Sequence, residues 1–212
     1  MCMSAAVSFA AGVVLVAGGA AISNVAWHRN LRYLPLAVMP LFAGFQQFME
    51  GNVWLGMTGA DPFTVRWGAM GFMFFTWFMW PVWIPFCVYV LEPGDSRRKQ
   101  LFLAMALIGL LFGLLLYVPH GLNSSMVVVE INNKSLAYEK SMWLDFMMPR
   151  RLTNLIYVLL IIVPTALSHY RHMCAIPEHC IDARRLPLFI ARSALRDLIA
   201  GLHADAMGVQ AA

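Results

Sequence analysis

Five apolar runs, each near the length that crosses a bilayer, limit what this chain can fold into. They cover 5–25, 36–57, 67–91, 101–118 and 152–168. A helix needs about 20 apolar residues to cross the hydrocarbon core. The last two runs are shorter, at 18 and 17 residues, a deficit that local thinning or snorkelling flanks absorb. Backbone N–H and C=O groups find no water at that depth, so each run must close its own hydrogen bonds as a helix. Only 12 % of the 212 residues are charged and 60 % are hydrophobic, far from the roughly 25 % charge of a soluble domain. The sequence thus predicts an all-α transmembrane bundle of about five spans over 1–170, with a juxtamembrane tail over 171–212.

The first run carries no Lys or Arg ahead of it and is longer than a signal-peptide core, so it reads as a span rather than a cleaved leader. Lys and Arg counts orient the bundle. The first and third loops and the tail hold ten of them, the opposite side five. The positive-inside rule then places the amino end outside and the tail in the cytoplasm of an inner (plasma) membrane. The formal net charge of +4 follows from that topology. Expected partners are the bilayer itself and anionic lipid at the basic tail, with no need for nucleic acid. Four cysteines (Cys2, Cys87, Cys174 and Cys180) scatter over both faces and a span, which is not a disulfide framework.

One carboxylate interrupts this pattern. Glu50 lies inside the second run, whereas the other charged residues fall in segments that read as loops or tail. A charge near mid-membrane costs roughly 2–4 kcal/mol on insertion scales, and such residues normally face the bundle interior. Gln46, Gln47, Glu50 and Trp54 share one helical face at spacings of three and four. Such a cluster can relay a proton, bind a cation or anchor a polar ligand, or it can tie helices together. Function and helix-tying weigh evenly here.

Other segments have plainer readings. Ser4, Ser8 and Gly12, with Ala17 and Ala21, repeat every four residues and suggest a close-packing face on the first span, open to a helix partner or a second copy. In the third span, Trp80-Pro81-Val82-Trp83-Ile84-Pro85 predicts a kinked helix, because two prolines remove backbone donors. The long loop 119–151 alternates β-branched residues around Asn132-Asn133, the pattern of a small β-hairpin on the outer face. Past Pro187 an apolar stripe of Leu188, Ala191, Leu195, Leu198, Ile199 and Leu202 predicts an amphipathic helix on the cytoplasmic leaflet.

Metal chemistry has one further candidate pair. Cys2 and His120 are both expected on the outer side with Glu50, and a thiolate with an imidazole suits a transition metal or a nucleophilic centre. The His169, His172, Cys174, His179 and Cys180 cluster matches no standard zinc spacing. No cofactor is indicated. The chain has no phosphate-binding glycine loop, no His-Glu-x-x-His and no nucleophile-elbow serine. No Lys lies in a span for retinal, and no inverted repeat suggests a secondary transporter.

The opening Met1-Cys2-Met3-Ser4-Ala5, the Gly44-Phe45-Gln46-Gln47 stretch followed by Glu50-Gly51 and Trp54, and the Trp80 to Pro85 element together resemble a bacterial membrane-protein family of unknown function. The resemblance covers about 1–170. It implies a seven-span protein with a β-rich outer loop, and it implies no chemistry. After His169 this chain departs from the pattern, with no two further apolar spans. Three functions follow from the residues: a membrane protein with a proton, cation or ligand site at Glu50, serving as a sensor or permeation element; an intramembrane enzyme using Cys2 and His120; or a structural partner in a membrane complex.

Overall fold

The structure is a computed structural model and describes residues 4–94, 97–123, 127, 129–132, 135–138 and 149–168. All of them belong to a unit spanning Met1–Ser168. The expected tail helix, the His/Cys cluster and Cys2 lie outside the described residues.

Helix α1 (Ala5–Arg29) starts at Ser4, whose hydroxyl caps Val7 N–H, and stops at the extended Asn30. A short α2 (Leu34–Ala37) ends at Val38, and α3 (Met39–Thr58) begins with Pro40 in its first turn. The missing N–H of Pro40 costs nothing there, because the first turn has no acceptor for it. Asp61 caps α4 (Pro62–Met73), which runs through a π-turn (Phe74–Met79) into α5 (Trp80–Leu91). Then come α6 (Arg97–Leu122) and α7 (Arg150–Leu167). Between these two, β1 (Glu130–Asn132) and β2 (Ser135–Ala137) pair antiparallel, with Ile131 opposite Leu136. The longer strands expected over 126–131 and 135–140 extend beyond the described residues.

Four helices are long and apolar enough to cross a membrane: Ala5–Arg29, Pro62–Leu91, Arg97–Leu122 and Arg150–Leu167. Their outward faces carry large exposed apolar residues such as Val14, Trp27, Leu107 and Leu111, as lipid-facing surfaces do. The chain is a multi-span membrane protein. The expected fifth span, α3, has 20 residues, but Gln46, Gln47, Glu50 and Asn52 keep it out of this set. The helices also outrun the predicted spans: α6 starts at Arg97 and α4 at Pro62. Arg29, Arg66, Arg97, Arg98, Lys99, Arg150 and Arg151 therefore sit in end turns of helices, not in loops. Long basic side chains tolerate this, since they reach outward to the headgroups.

Helix α1 packs along α3 through small residues. A Cβ on Gly12 would meet Phe48, one on Gly19 would meet Leu41, and one on Gly44 would meet Val16. The buried face is Ser8, Gly12, Gly19 and Ala26. Gly12, Gly19 and Ala26 recur every seven residues, a coiled-coil spacing. The expected face was right at Ser8 and Gly12, but Ala17 and Ala21 are exposed. A repeat of four drifts around a helix of 3.6 residues per turn, and a repeat of seven stays nearly in line.

Just upstream of Pro81 and Pro85 the helix takes a π-turn. Trp80 N–H bonds to Phe75 O, five residues back. In that register Thr76 O would be served by residue 81, but Pro81 has no N–H. Tyr157 of α7 supplies the missing donor, its hydroxyl 2.7 Å from Thr76 O. Pro85 likewise leaves Pro81 O without its helical partner. Gly109 of α6 lies directly against that carbonyl, where any Cβ would collide. Gly113, one turn on, packs against Phe78 Cα.

Candidate functional site

Three sides of α3 decide where Glu50 goes. Gly44 and Gly51 face α1, with Phe9 over Gly51. Met49 and Val53 face Gly68 and Gly71 of α4. Glu50 and Trp54 lie on the third side, 0 % and 7 % exposed. Trp54 joins the main core with Val53, Phe72, Trp77, Leu136 and Tyr138. The strand segment thus contributes to the bundle core: Leu136 is buried, and Tyr138 stacks on Phe72 at 4.5 Å and 10°. Burial pushes the Tyr138 phenol well above its ordinary value, and the negative charge of Glu50 pushes it further.

Buried polar groups from other helices gather at the same height. Gly71 opposite Met49 sets Glu50 level with the last turns of α4. Gly121 opposite Met70, with Gly113 opposite Phe78, sets His120 at that height too. Ser8, between Ala5 and Gly12 on the α3-facing side of α1, is level with Gly51. Thr153 lies one turn before Tyr157, whose hydroxyl reaches Thr76. Ser8, His120 and Thr153 are all essentially sealed from solvent. The hydroxyls of Ser8, Tyr138 and Thr153 have no hydrogen-bond partner among the described residues. A layer of polar side chains thus crosses the bundle at the level of Phe72. Few buried polar groups in proteins go unbonded, so such a layer calls for an explanation.

His120 is more constrained. Its Nδ1 lies 2.8 Å from Leu116 O, and its ring meets Trp77 edge-on at 4.7 Å. A carbonyl only accepts, so Nδ1 carries the hydrogen in this arrangement. Among the described residues no three His, Cys, Asp or Glu come together as a metal set. Cys87 is a buried free thiol on α5.

Gln46 does not join Glu50. Its Nε2 donates to Thr76 Oγ1 at 2.9 Å, and its Oε1 accepts from Trp80 Nε1 at 2.8 Å. Thr76 Oγ1 in turn donates to Phe72 O at 3.1 Å. Gln46 therefore braces the π-turn one helical turn away from the acid, and Gln47 is half-buried. Of the four residues expected as a cluster, Gln46 is bonded to Thr76 and Trp80, and Glu50 and Trp54 are buried. Ser8, Tyr138 and Thr153 were not foreseen as polar site residues. Nothing in the local sequence marks them, since their burial depends on which helices meet. The Gly109-x-x-x-Gly113 spacing was readable, and it does mark the tightest helix contact.

These features define a helical multi-pass membrane bundle with a polar layer across its core. Residues 1–172 match the model of the Family of unknown function (DUF6629), and the chain belongs to that family. No curated protein and no solved structure matches it.

Proposed function

We propose that the protein holds a polar intramembrane site centred on Glu50 that takes a proton, a cation or a small polar ligand, as a permeation or sensing element. The complete burial of Glu50 at the height of Ser8, Tyr138 and His120 carries this reading. Intramembrane acids are retained mainly where ions or protons are handled. In this reading α3 is the fifth span. It packs along α1, turns its acid inward and leaves Phe45 and Leu55 on the outside. The Lys and Arg distribution places the amino end outside, which sets Glu50 and the β1–β2 pair toward the outer leaflet.

The test uses the purified full chain in liposomes, with proton and alkali-ion flux measured under an imposed gradient. A working charge predicts that Glu50→Gln and Glu50→Leu both lose flux, while Glu50→Gln keeps its melting temperature. A helix-tying role predicts that Glu50→Gln behaves as wild type and only Glu50→Leu is destabilised. Wild-type protein with no flux, and with stability that ignores both pH and salt identity, rejects the proposal.

The Gln46 brace favours a second reading for part of the same helix. Both ends of its amide are bonded across to the π-turn, so at that level the polar residues of α3 serve helix packing.

A further inference from the structure

We infer that one end of the bundle, where α1 and α5 finish and α6 begins, docks the headgroups of anionic phospholipids. Arg29, Arg32 and Arg97 meet the phosphates, and Trp27, Leu31 and Leu36 form an apolar shelf for the acyl chains. This surface is independent of Glu50.

Antiparallel packing fixes which termini share that end. Trp83 Nε1 donates to Pro35 O at 2.9 Å, Gln46 reaches Thr76 and Trp80, and Met49 lies against Gly71. The α4–α5 helix therefore runs back toward the start of α2 as α3 runs away from it. The chain leaves α1 at Arg29 and passes through a single 3-10 turn (Leu31–Tyr33) into α2. That turn packs on α5. Rings then step along α5 from Trp83 to Phe86 and on to Tyr89 in its last turn. Lys99, in the first turn of α6, holds its ammonium 5.3 Å from the centre of the Tyr89 ring. Cations from three separate elements are thus gathered on one end.

The charge there is one-sided. Among the described residues Arg29, Arg32, Arg97, Arg98 and Lys99 stand against one carboxylate, Glu92, which is buried. Asp95 lies outside the described residues, and counting it still leaves the cations in excess. Helix stability does not account for the set. Arg29 suits the negative end of α1, but Arg97, Arg98 and Lys99 occupy the first turn of α6, where the dipole is already positive and no acidic residue stands. Arg29, Arg32 and Arg97 are exposed. Beside them Trp27, Leu31 and Leu36 are 63 %, 58 % and 47 % exposed. Guanidinium groups next to bare apolar side chains match the two parts of a phospholipid, since phosphate pairs with arginine and the acyl chain covers the shelf. A free anion would leave the shelf bare.

The experiment is thermal unfolding of the purified full chain in detergent micelles. Phosphatidylglycerol is titrated against phosphatidylcholine of the same acyl chains at constant ionic strength. Melting temperature should rise saturably with phosphatidylglycerol and clearly less with phosphatidylcholine. Arg29→Gln, Arg32→Gln and Arg97→Gln should each weaken apparent phosphatidylglycerol affinity about fivefold. They should leave melting without added lipid unchanged, because all three side chains are exposed. Arg66 is exposed near the start of α4, at the opposite end, where Val65 lies against Gly56. Arg66→Gln should keep the wild-type affinity. An equal response of the wild type to the two lipids overturns the assignment and needs no variant. An equal loss in Arg66→Gln also overturns it, since general charge attraction would then explain the binding. Inorganic phosphate that raises melting as much as phosphatidylglycerol gives the cations to a free anion and removes the lipid.

Discussion

Gln46 and Glu50 stand one turn apart on α3, and the bundle uses them in opposite ways. Around Gln46 the polar atoms are matched: the amide bridges Thr76 and Trp80, and Tyr157 serves the carbonyl that Pro81 cannot. Around Glu50 a carboxylate, an imidazole and several hydroxyls gather at one height, and three of the hydroxyls lack partners among the described residues. The Gln46 level is a brace, and the Glu50 level is where we propose a site. Matched polar groups rigidify a core, whereas unmatched ones call for a water, an ion or a functional reason.

Breaking the brace should hurt stability without disturbing the Glu50 level. The largest effect is expected from Gly109→Val, since a side chain there collides with the Pro81 carbonyl. Forced overpacking of this kind costs about 3 kcal/mol or more, and loss of the folded fraction on size exclusion would show it. Normal yield and melting would mean α6 can slide away from α5. Next is Gln46→Leu, which strands the Trp80 indole N–H and one bond of Thr76. We expect about 2 kcal/mol of destabilisation, with any Glu50-dependent flux retained in the surviving folded protein. Loss of that flux at full stability would erase the distinction between the two levels.

Tyr157→Phe removes only the hydroxyl on Thr76 O, so about 1 kcal/mol is expected, read as a modest fall in melting temperature. No change would mean that water reaches the π-turn. The smallest effect lies outside both levels, at Asp61. Its carboxylate accepts from Phe63 N–H and from the Thr64 hydroxyl, and the Thr64 bond chiefly holds its pKa below the ordinary carboxylate value. A lowered native pKa gives stability that is fully present above the ordinary carboxylate range and fades as pH falls through the lowered value. Asp61→Asn should flatten that acid limb slightly in a melting series. A steeper acid limb in the variant would assign the wrong sign to this cap.

Much of this architecture was legible because hydrocarbon imposes a simple rule. Apolar length predicted the helices to within about a turn in most cases, and the isolation of Glu50 predicted that it would turn inward. Less was legible about the site. Gln46 looked like a companion of Glu50 because helical spacing places them on one face. Spacing cannot tell that Thr76 and Trp80, thirty and more residues away, would claim the amide. The prolines predicted a disturbance but not its form, since a π-turn persists only where a neighbour such as Tyr157 satisfies the carbonyl it frees. Ser8 looked like a spacer because its small size was visible and its surroundings were not.

By itself the sequence determined that this chain fills a membrane with helices and sets one acid among them, because burying backbone and charge in hydrocarbon leaves few alternatives. Which polar groups meet that acid, and which are spent on holding the bundle, was decided only when helices distant in sequence came into register. Hydrogen bonds act over a few ångströms, and only the packed bundle brings atoms such as those of Gln46, Thr76 and Trp80 that close.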